Sequence, residues 1–244
     1  MRTVTIILIL IVFSVSPLQA QWWGKGKKIE GNGTMVSKTR KLPEYDQVKL
    51  NGSLDVVLIS GTEGNIKIDA ESNLIQYITI EVKDDILKIY VEKEYYLKPS
   101  KNKKILITVP FIDITQVSLS GSGDIYTEDI IKINSFKTRV SGSGDIRLSI
   151  EARDIESSVS GSGDLTLKGI TESLKCNVTG SGDVKAFDLK AKNVDASVTG
   201  SGDIKITSTH SLKARVIGSG DIDYQGNPEK EDKKVSGSGD ITKR

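Results

Sequence analysis

Residues 157–184 read SSVSGSGDLTLKGITESLKCNVTGSGDV and hold one full period of the chain. The tetrapeptide Gly-Ser-Gly-Asp at 161–164 returns at 180–183, and it occurs seven times in all, ending at Asp124, Asp145, Asp164, Asp183, Asp203, Asp221 and Asp240. The spacings of 21, 19, 19, 20, 18 and 19 residues mark a repeat in which each period is one structural unit stacked on the next. Fourteen of the 23 Gly residues lie in these tetrapeptides, so one recurring turn accounts for the Gly-rich composition. Neither collagen, with Gly at every third position, nor a flexible Gly linker fits that pattern.

Aligning the periods exposes alternation on both sides of the turn. Two residues before the first Gly stand Leu119, Val140, Val159, Val178, Val198, Val216 and Val235. Six before it stand Phe136, Ile155, Leu174, Val194 and Leu212, and directly after the Asp come Ile125, Ile146, Leu165, Val184, Ile204, Ile222 and Ile241. Four before it the column is small, with Thr138, Ser157, Cys176, Ala196 and Ala214. Apolar, largely β-branched residues at every second position between Gly turns predict β-strands buried on one face. A further column, five before the turn, reads Lys137, Glu156, Lys175, Asp195, Lys213, Asp232. Its strict alternation of sign makes sense only if successive periods lie in parallel register about 4.8 Å apart, each charge between two opposite ones.

The expected fold is therefore an all-β, parallel β-helix with one period of about 19 residues per coil. Thirteen positions of each coil are well defined, and the remaining five to eight vary in length and form a looser corner. A propeller blade needs about 40 residues, and a leucine-rich repeat needs a Leu ladder. An antiparallel sandwich gives no reason for same-position columns in every period. In the last period Glu231 and Lys233 replace the apolar columns, as expected where a solenoid stops.

The rest of the chain is read around this core. Residues 1–20 combine Arg2, the apolar run Val4 to Val15 and a terminal Ala20. That run is too short to span a bilayer and predicts a cleaved secretory signal peptide, with no transmembrane anchor in the mature chain. Residues 21–40 are Gly- and Lys-rich without periodicity and are read as a flexible lead-in, with Trp22 and Trp23 on it. Residues 41–118 form a β-rich N-terminal part with strands expected at Val48 to Ile59, Asn65 to Asp69, Ile78 to Val91 around a turn at Asp84 and Asp85, and Lys104 to Val109. Asn51-Gly-Ser-Leu-Asp55 is a degenerate first turn. Residues 119–244 are the Gly-Ser-Gly-Asp repeat itself.

Charge and rare residues narrow the function. Lys plus Arg is 34 against 32 Asp plus Glu, a net charge of +2, which gives no overall basic field for nucleic acid. One Cys and one His leave no intrachain disulfide and no Cys/His zinc site or catalytic pair. Cys176 falls in the small inward column and reads as core, and His210 in the variable corner reads as surface. Stacking in register puts seven Asp in a ladder beside seven Ser, and like charges at that spacing repel by about 1 kcal/mol in water. Turn N–H groups, Ser hydroxyls, neighbouring Lys and Arg, or a bound cation must offset this. The first reading is capping by Asx-type hydrogen bonds. Calcium is the alternative, with Asp124, Asp145, Asp164, Asp183, Asp203, Asp221 and Asp240 as candidates, because calcium-binding β-rolls also combine Gly and Asp in turns. Their Gly-Gly-x-Gly-x-Asp spacing and period of nine differ from those here. The Asp ladder is the same in every coil and singles out no catalytic pair.

The chain resembles the head GIN domain family of autotransporter-adhesin-like exported proteins. The resemblance is carried by Ile29-Glu-Gly-Asn-Gly33, Arg40, Tyr45-Asp46, Val48, Gly52, Asp55-Val56, the segment Ile105 to Pro110, and the repeated Gly-Ser-Gly-Asp, often preceded by Ser. It implies a right-handed β-helix. Only Ile241 to Arg244 follow Asp240, too little for an autotransporter barrel. The expectation is an exported, non-catalytic β-helix at the cell envelope or outside it, presenting a rigid repetitive surface to a cell-surface glycan or an envelope protein. Binding or processing of polysaccharide along the helix groove is the alternative, and a purely structural envelope role is a third reading.

Overall fold

Stacking each period on the last lets a one-sided strand bury its apolar face while its backbone is paired above and below. That is the arrangement in the computed structural model, which describes residues 26–244. The expected signal peptide, Trp22 and Trp23 lie outside the described residues. The strands in chain order are β1 (Lys27–Glu30), β2 (Met35–Lys41), β3 (Gln47–Gly52), β4 (Asp55–Ser60), β5 (Asn65–Glu71), β6 (Ile78–Lys83), β7 (Ile86–Val91), β8 (Tyr95–Lys98) and β9 (Leu106–Phe111). They continue as β10 (Gln116–Gly121), β11 (Ile125–Gly142), β12 (Ile146–Gly161), β13 (Leu165–Gly180), β14 (Val184–Gly200), β15 (Ile204–Gly218), β16 (Ile222–Gln225), β17 (Lys230–Gly237) and β18 (Ile241–Lys243). The described residues contain no α-helix, only a 3-10 turn at Ile75–Tyr77.

The coils stack in parallel with the tetrapeptides in register. Gly52 pairs with Gly121, and the column runs on through Gly142, Gly161, Gly180, Gly200, Gly218 and Gly237. The fold is thus a parallel β-helix of about 19-residue coils, and Asn51 to Asp55 form its first turn. One apolar core runs its length, from Val48 and Leu50 to Ile222 and Tyr224. The register breaks at Tyr126/Ile130, Thr166/Gly169, Ala186/Lys190 and Ala191/Asn193, all in the part of the coil whose length varies.

Each Gly of the tetrapeptide is needed for a different reason. Gly161 sits at φ +117°, a left-handed conformation that L side chains resist. Gly163 is held against the coil below, where a Cβ would lie 2.1 Å from the Gly144 carbonyl oxygen. That approach lets the N–H groups of Ser162 and Gly163 donate to the carbonyl of Gly142 at 2.8 and 3.0 Å.

The charge column is in register as expected, with Lys137 opposite Glu156, Glu156 opposite Lys175, Lys175 opposite Asp195, Asp195 opposite Lys213 and Lys213 opposite Asp232. Ion pairs close at 3.6 Å for Lys137 with Glu156 and at 2.8 Å for Lys213 with Asp195.

The two ends finish differently. At the N-terminal end β7 lies parallel under β3 and β9 parallel under β4. Pairing then turns antiparallel, with β6 on β7, β5 on β9 and β2 on β5. The turn between β6 and β7 has Asp84 and Asp85 at φ 54° and 57°, as a tight hairpin requires. The flexible lead-in expected over 21–40 is corrected from residue 26 onward, because β1 pairs with β8 and β2 with β5. These strands are mostly exposed and pair through their backbone, so they carry no apolar alternation to read. At the C-terminal end β17 is exposed throughout. Its inward Glu231 and Lys233 pair at 2.7 Å and both meet the Tyr224 hydroxyl, at 3.0 Å each. Charged groups thus close the core where another coil would otherwise add.

Two outcomes follow from this packing. Thr138 is fully buried in the small column, and its Oγ1 finds no hydrogen-bond partner. Thr138→Val should stabilise the fold by about 1 kcal/mol, since an unpaired buried hydroxyl costs about 1–3 kcal/mol; urea unfolding is the measurement. Asp195→Lys places three lysines in a row and should destabilise by about 1 kcal/mol. Adding Lys175→Glu and Lys213→Asp should recover part of that loss, whereas strict additivity of the changes in denaturant midpoint would contradict the register.

Candidate functional site

The Asp ladder is the most regular chemical feature of the molecule, and its geometry shows what the carboxylates do. Oδ1 of each Asp accepts the N–H of the Asp one coil further on: Asp124 from Asp145 at 3.3 Å, Asp145 from Asp164 and Asp164 from Asp183 at 3.1 Å. The series continues with Asp183 from Asp203 at 3.0 Å, and Asp203 from Asp221 and Asp221 from Asp240 at 2.8 Å. Asp240, the last Asp of the ladder among the described residues, accepts from the Ile241 N–H at 2.7 Å. Cations on the next outward column share the remaining charge. Arg147 reaches Asp145 at 2.7 Å and Asp124 at 3.8 Å, and Lys185 reaches Asp164 at 2.5 Å. Asp55 extends the ladder by one coil; burial, then the charge of Asp124, pushes its carboxyl above the usual range. Among the described residues no three His, Cys, Asp or Glu side chains converge on one cation position.

The other residues marked in the sequence fall apart from one another. Cys176 is fully buried between Ser157 and Ala196 in the stacked coils. Burial pushes its thiol up to about 12, which removes thiolate reactivity. His210 is exposed and faces Glu229 at 3.4 Å. A shallow groove of about 580 Å3 lies on the side that follows the Asp ladder, lined by Tyr126, Thr127, Arg147, Leu148, Ser149, Thr166 and Lys168. Cationic, hydroxyl and aromatic groups line it without a carboxylate.

The side that precedes the turn presents a flat polar array. Three outward columns run side by side along β10 to β15 and β17. They are the alternating charges, a polar column of Ser118, Arg139, Ser158, Asn177, Ser197 and Arg215, and a column of the hydroxyls Ser120, Ser141, Ser160, Thr179 and Thr199 that is interrupted at Ile217. Read as a sequence these hydroxyls are only the polar half of an alternation. Their signal is the column, visible once the periods are aligned, and the in-register stacking turns it into a surface with a repeat of about 4.8 Å.

Glu71 was not singled out in the sequence, yet it ties down the N-terminal end. It is buried, at 1% exposure. Its carboxylate accepts the Ser100 N–H at 2.8 Å and the Ser100 hydroxyl at 2.6 Å, and it also accepts the Gly33 N–H. Burial alone would raise its carboxyl, but these donors outweigh burial and hold it below the usual carboxylate range. Ile29-Glu-Gly-Asn-Gly33 is thus packed onto this group, and a Cβ on Gly31 would lie 2.0 Å from Glu71 Oε2.

Residues 44–228 match the family described as "Putative auto-transporter adhesin, head GIN domain". The chain belongs to the head GIN domain family. A solved structure described as a putative adhesin from Bacteroides fragilis superposes with a TM-score of 0.80 at 25% identity, over 88% of this chain and 100% of that one. One described as a putative lipid binding protein from Parabacteroides distasonis gives 0.76 at 27%, over 89% and 100%. A putative adhesin from Parabacteroides merdae, at 22% identity and TM-score 0.71 over 89% of this chain and 99% of that one, shows the same fold. No curated protein matches the chain. No helix among the described residues is long and apolar enough to cross a membrane.

Because its folded pKa is depressed, Glu71 contributes stability that is present above the unfolded value of about 4.3 and is lost as pH falls through the folded value. Glu71→Gln should therefore lower stability at neutral pH by about 1–3 kcal/mol and leave a shallower acid limb than the parent. Chemical denaturation from pH 7 to pH 3 measures both; parallel acid limbs would contradict the assignment.

Proposed function

We propose that this head GIN domain protein is an exported, non-catalytic, adhesin-like module whose flat polar side binds a repetitive ligand, a cell-surface glycan. The observation that carries the reading is the hydroxyl column of Ser120, Ser141, Ser160, Thr179 and Thr199, held in register on five successive coils beside the polar column from Ser118 to Arg215. A polymer laid along the helix axis meets equivalent hydroxyls on these five coils, so weak hydrogen bonds add along its length. The rigid stack pre-orders these groups and lowers the entropic cost of binding. The B. fragilis relative described as a putative adhesin supports the same class of role. Export rests on the signal-like character of residues 1–20.

In this reading the Asp ladder is a structural spine that closes the corner of each coil, and calcium is not required. The groove at Tyr126, Arg147 and Lys168 lacks the pair of carboxylates that glycoside hydrolysis ordinarily uses, which supports binding over processing.

A glycan array probed in calcium and again in chelator should give the same bound set. Ser160→Arg with Thr179→Arg, which crowds two adjacent rows of the face, should weaken binding at least about tenfold with an unchanged melting temperature. Release of reducing sugar, abolished by substituting any one Asp of the ladder, would overturn the non-catalytic reading. Binding that disappears in chelator would make the ladder a cation site.

A further inference from the structure

The N-terminal corner departs from the repeat in a way the architecture does not require. β7 lies under β3 and β9 under β4, so the segment from Glu92 to Ile105 occupies the place that a Gly-Ser-Gly-Asp corner fills in every later coil. Three residues separate the strands at that corner in the later coils, as between β10 and β11, and here fourteen do. The extra length forms β8, which pairs with β1 in a two-stranded parallel ribbon. Leu97 is buried and Ile29 packs on the core, so alternation turns Lys28, Glu30, Tyr96 and Lys98 outward. Lys28 stands opposite Tyr96 and Glu30 opposite Lys98. Tyr96 is 56% exposed, an aromatic ring held in water among lysines.

The chain then runs through Lys98-Pro-Ser-Lys-Asn-Lys-Lys104, four lysines in seven residues with no acid among them, and all four are exposed. This loop is fixed at its centre by the bonds from Ser100 to Glu71 and from the Ser100 hydroxyl to the Gly31 carbonyl at 3.1 Å. Across 26–31 and 92–104, with the Glu71 carboxylate that Ser100 and Gly33 meet, seven lysines face four acids, Glu30, Glu71, Glu92 and Glu94. Of these Glu30 is engaged by Lys28 at 2.7 Å. The positive charge is therefore local to one end of a chain that is otherwise nearly balanced.

We propose that this end is a docking face for an anionic lipid bilayer, distinct from the flat polar side. An exposed amphipathic ring beside a cluster of lysines is the composition that partitions to a headgroup region, the ring at the interface and the ammonium groups on lipid phosphates. Docking by this end leaves the helix axis pointing away from the membrane and the polar side free along its length.

The test is co-sedimentation of the purified protein with vesicles of pure phosphatidylcholine and of phosphatidylcholine with 30% phosphatidylglycerol. Binding is expected to the anionic vesicles only and to weaken steeply as salt is raised. Each lysine near such a surface adds about fivefold in affinity, so Lys98→Gln, Lys101→Gln and Lys103→Gln combined should weaken binding about a hundredfold, and Tyr96→Ala should weaken it further. The equivalent triple change at Lys168, Lys190 and Lys192, on other parts of the coils, should leave binding within about threefold. Thermal melts confirm that each variant is folded. Equal loss from both triple variants would mean attraction to net charge alone, and it would overturn the proposal. So would failure to bind anionic vesicles, or binding that the loop variant leaves unchanged. Capture by a soluble polyanion such as dextran sulfate without capture by vesicles would assign the patch to an acidic polymer and overturn it equally.

Discussion

Everything in this molecule depends on how closely one backbone corner can sit on the next. With Gly at both positions of the tetrapeptide, the chain turns through a left-handed conformation and places its carbonyl within hydrogen-bonding reach of two N–H groups of the following coil. A Cβ at the first Gly would collide with that carbonyl, and a Cβ at the second with the carbonyl of the second Gly one coil before. The Asp then uses the same closeness, its Oδ1 accepting the N–H of the next Asp, so that a column of like charges becomes a column of charge-assisted hydrogen bonds. The repulsion between carboxylates is answered from within the backbone and by Arg147 and Lys185. A residue required once in every coil is thus explained by architecture before any ligand is considered.

The spacing set by the corners is inherited by every outward column. Strands stacked at a fixed interval carry their side chains at that interval too, so one alternation in sequence makes the apolar core inside and a regular array outside. The same regularity would leave both ends of the stack open to further pairing. The N-terminal end answers by turning to antiparallel pairing through β6, β5 and β2, with Glu71 holding the Gly31 to Gly33 segment and Ser100 together. The C-terminal end answers with Glu231 and Lys233 at core positions around the Tyr224 hydroxyl. Specialised chemistry is concentrated at these ends because only there is a residue free of the demand to match the coil above and below.

Alignment on one tetrapeptide was enough to read the parallel stack, the inward columns, the alternating charges and the degenerate turn at Asn51 to Asp55, because each is a periodic demand that every coil must meet. The strands β1, β2 and β8 were not legible. They pair through backbone groups at exposed edges, and what holds them is long-range: Glu71 meets Gly33 and Ser100, residues far away along the chain. The hydroxyl side lay in the sequence as polar positions, but its flatness and spacing are properties of stacked strands.

The sequence by itself determined the coil, its length and its register, since Gly at a strained corner and apolar residues at every second position leave a one-sided strand no other way to bury its face. Only the tertiary structure decided which oxygen of each Asp is occupied, and that Glu71 meets Gly33 and Ser100. It also decided that the lysines of 98–104 stand beside Tyr96 and Lys28 at one end. The physical reason is that a local repeat is specified by neighbours in sequence, whereas the pairing of a carboxylate and the clustering of charge are set by groups that meet only when the coils close.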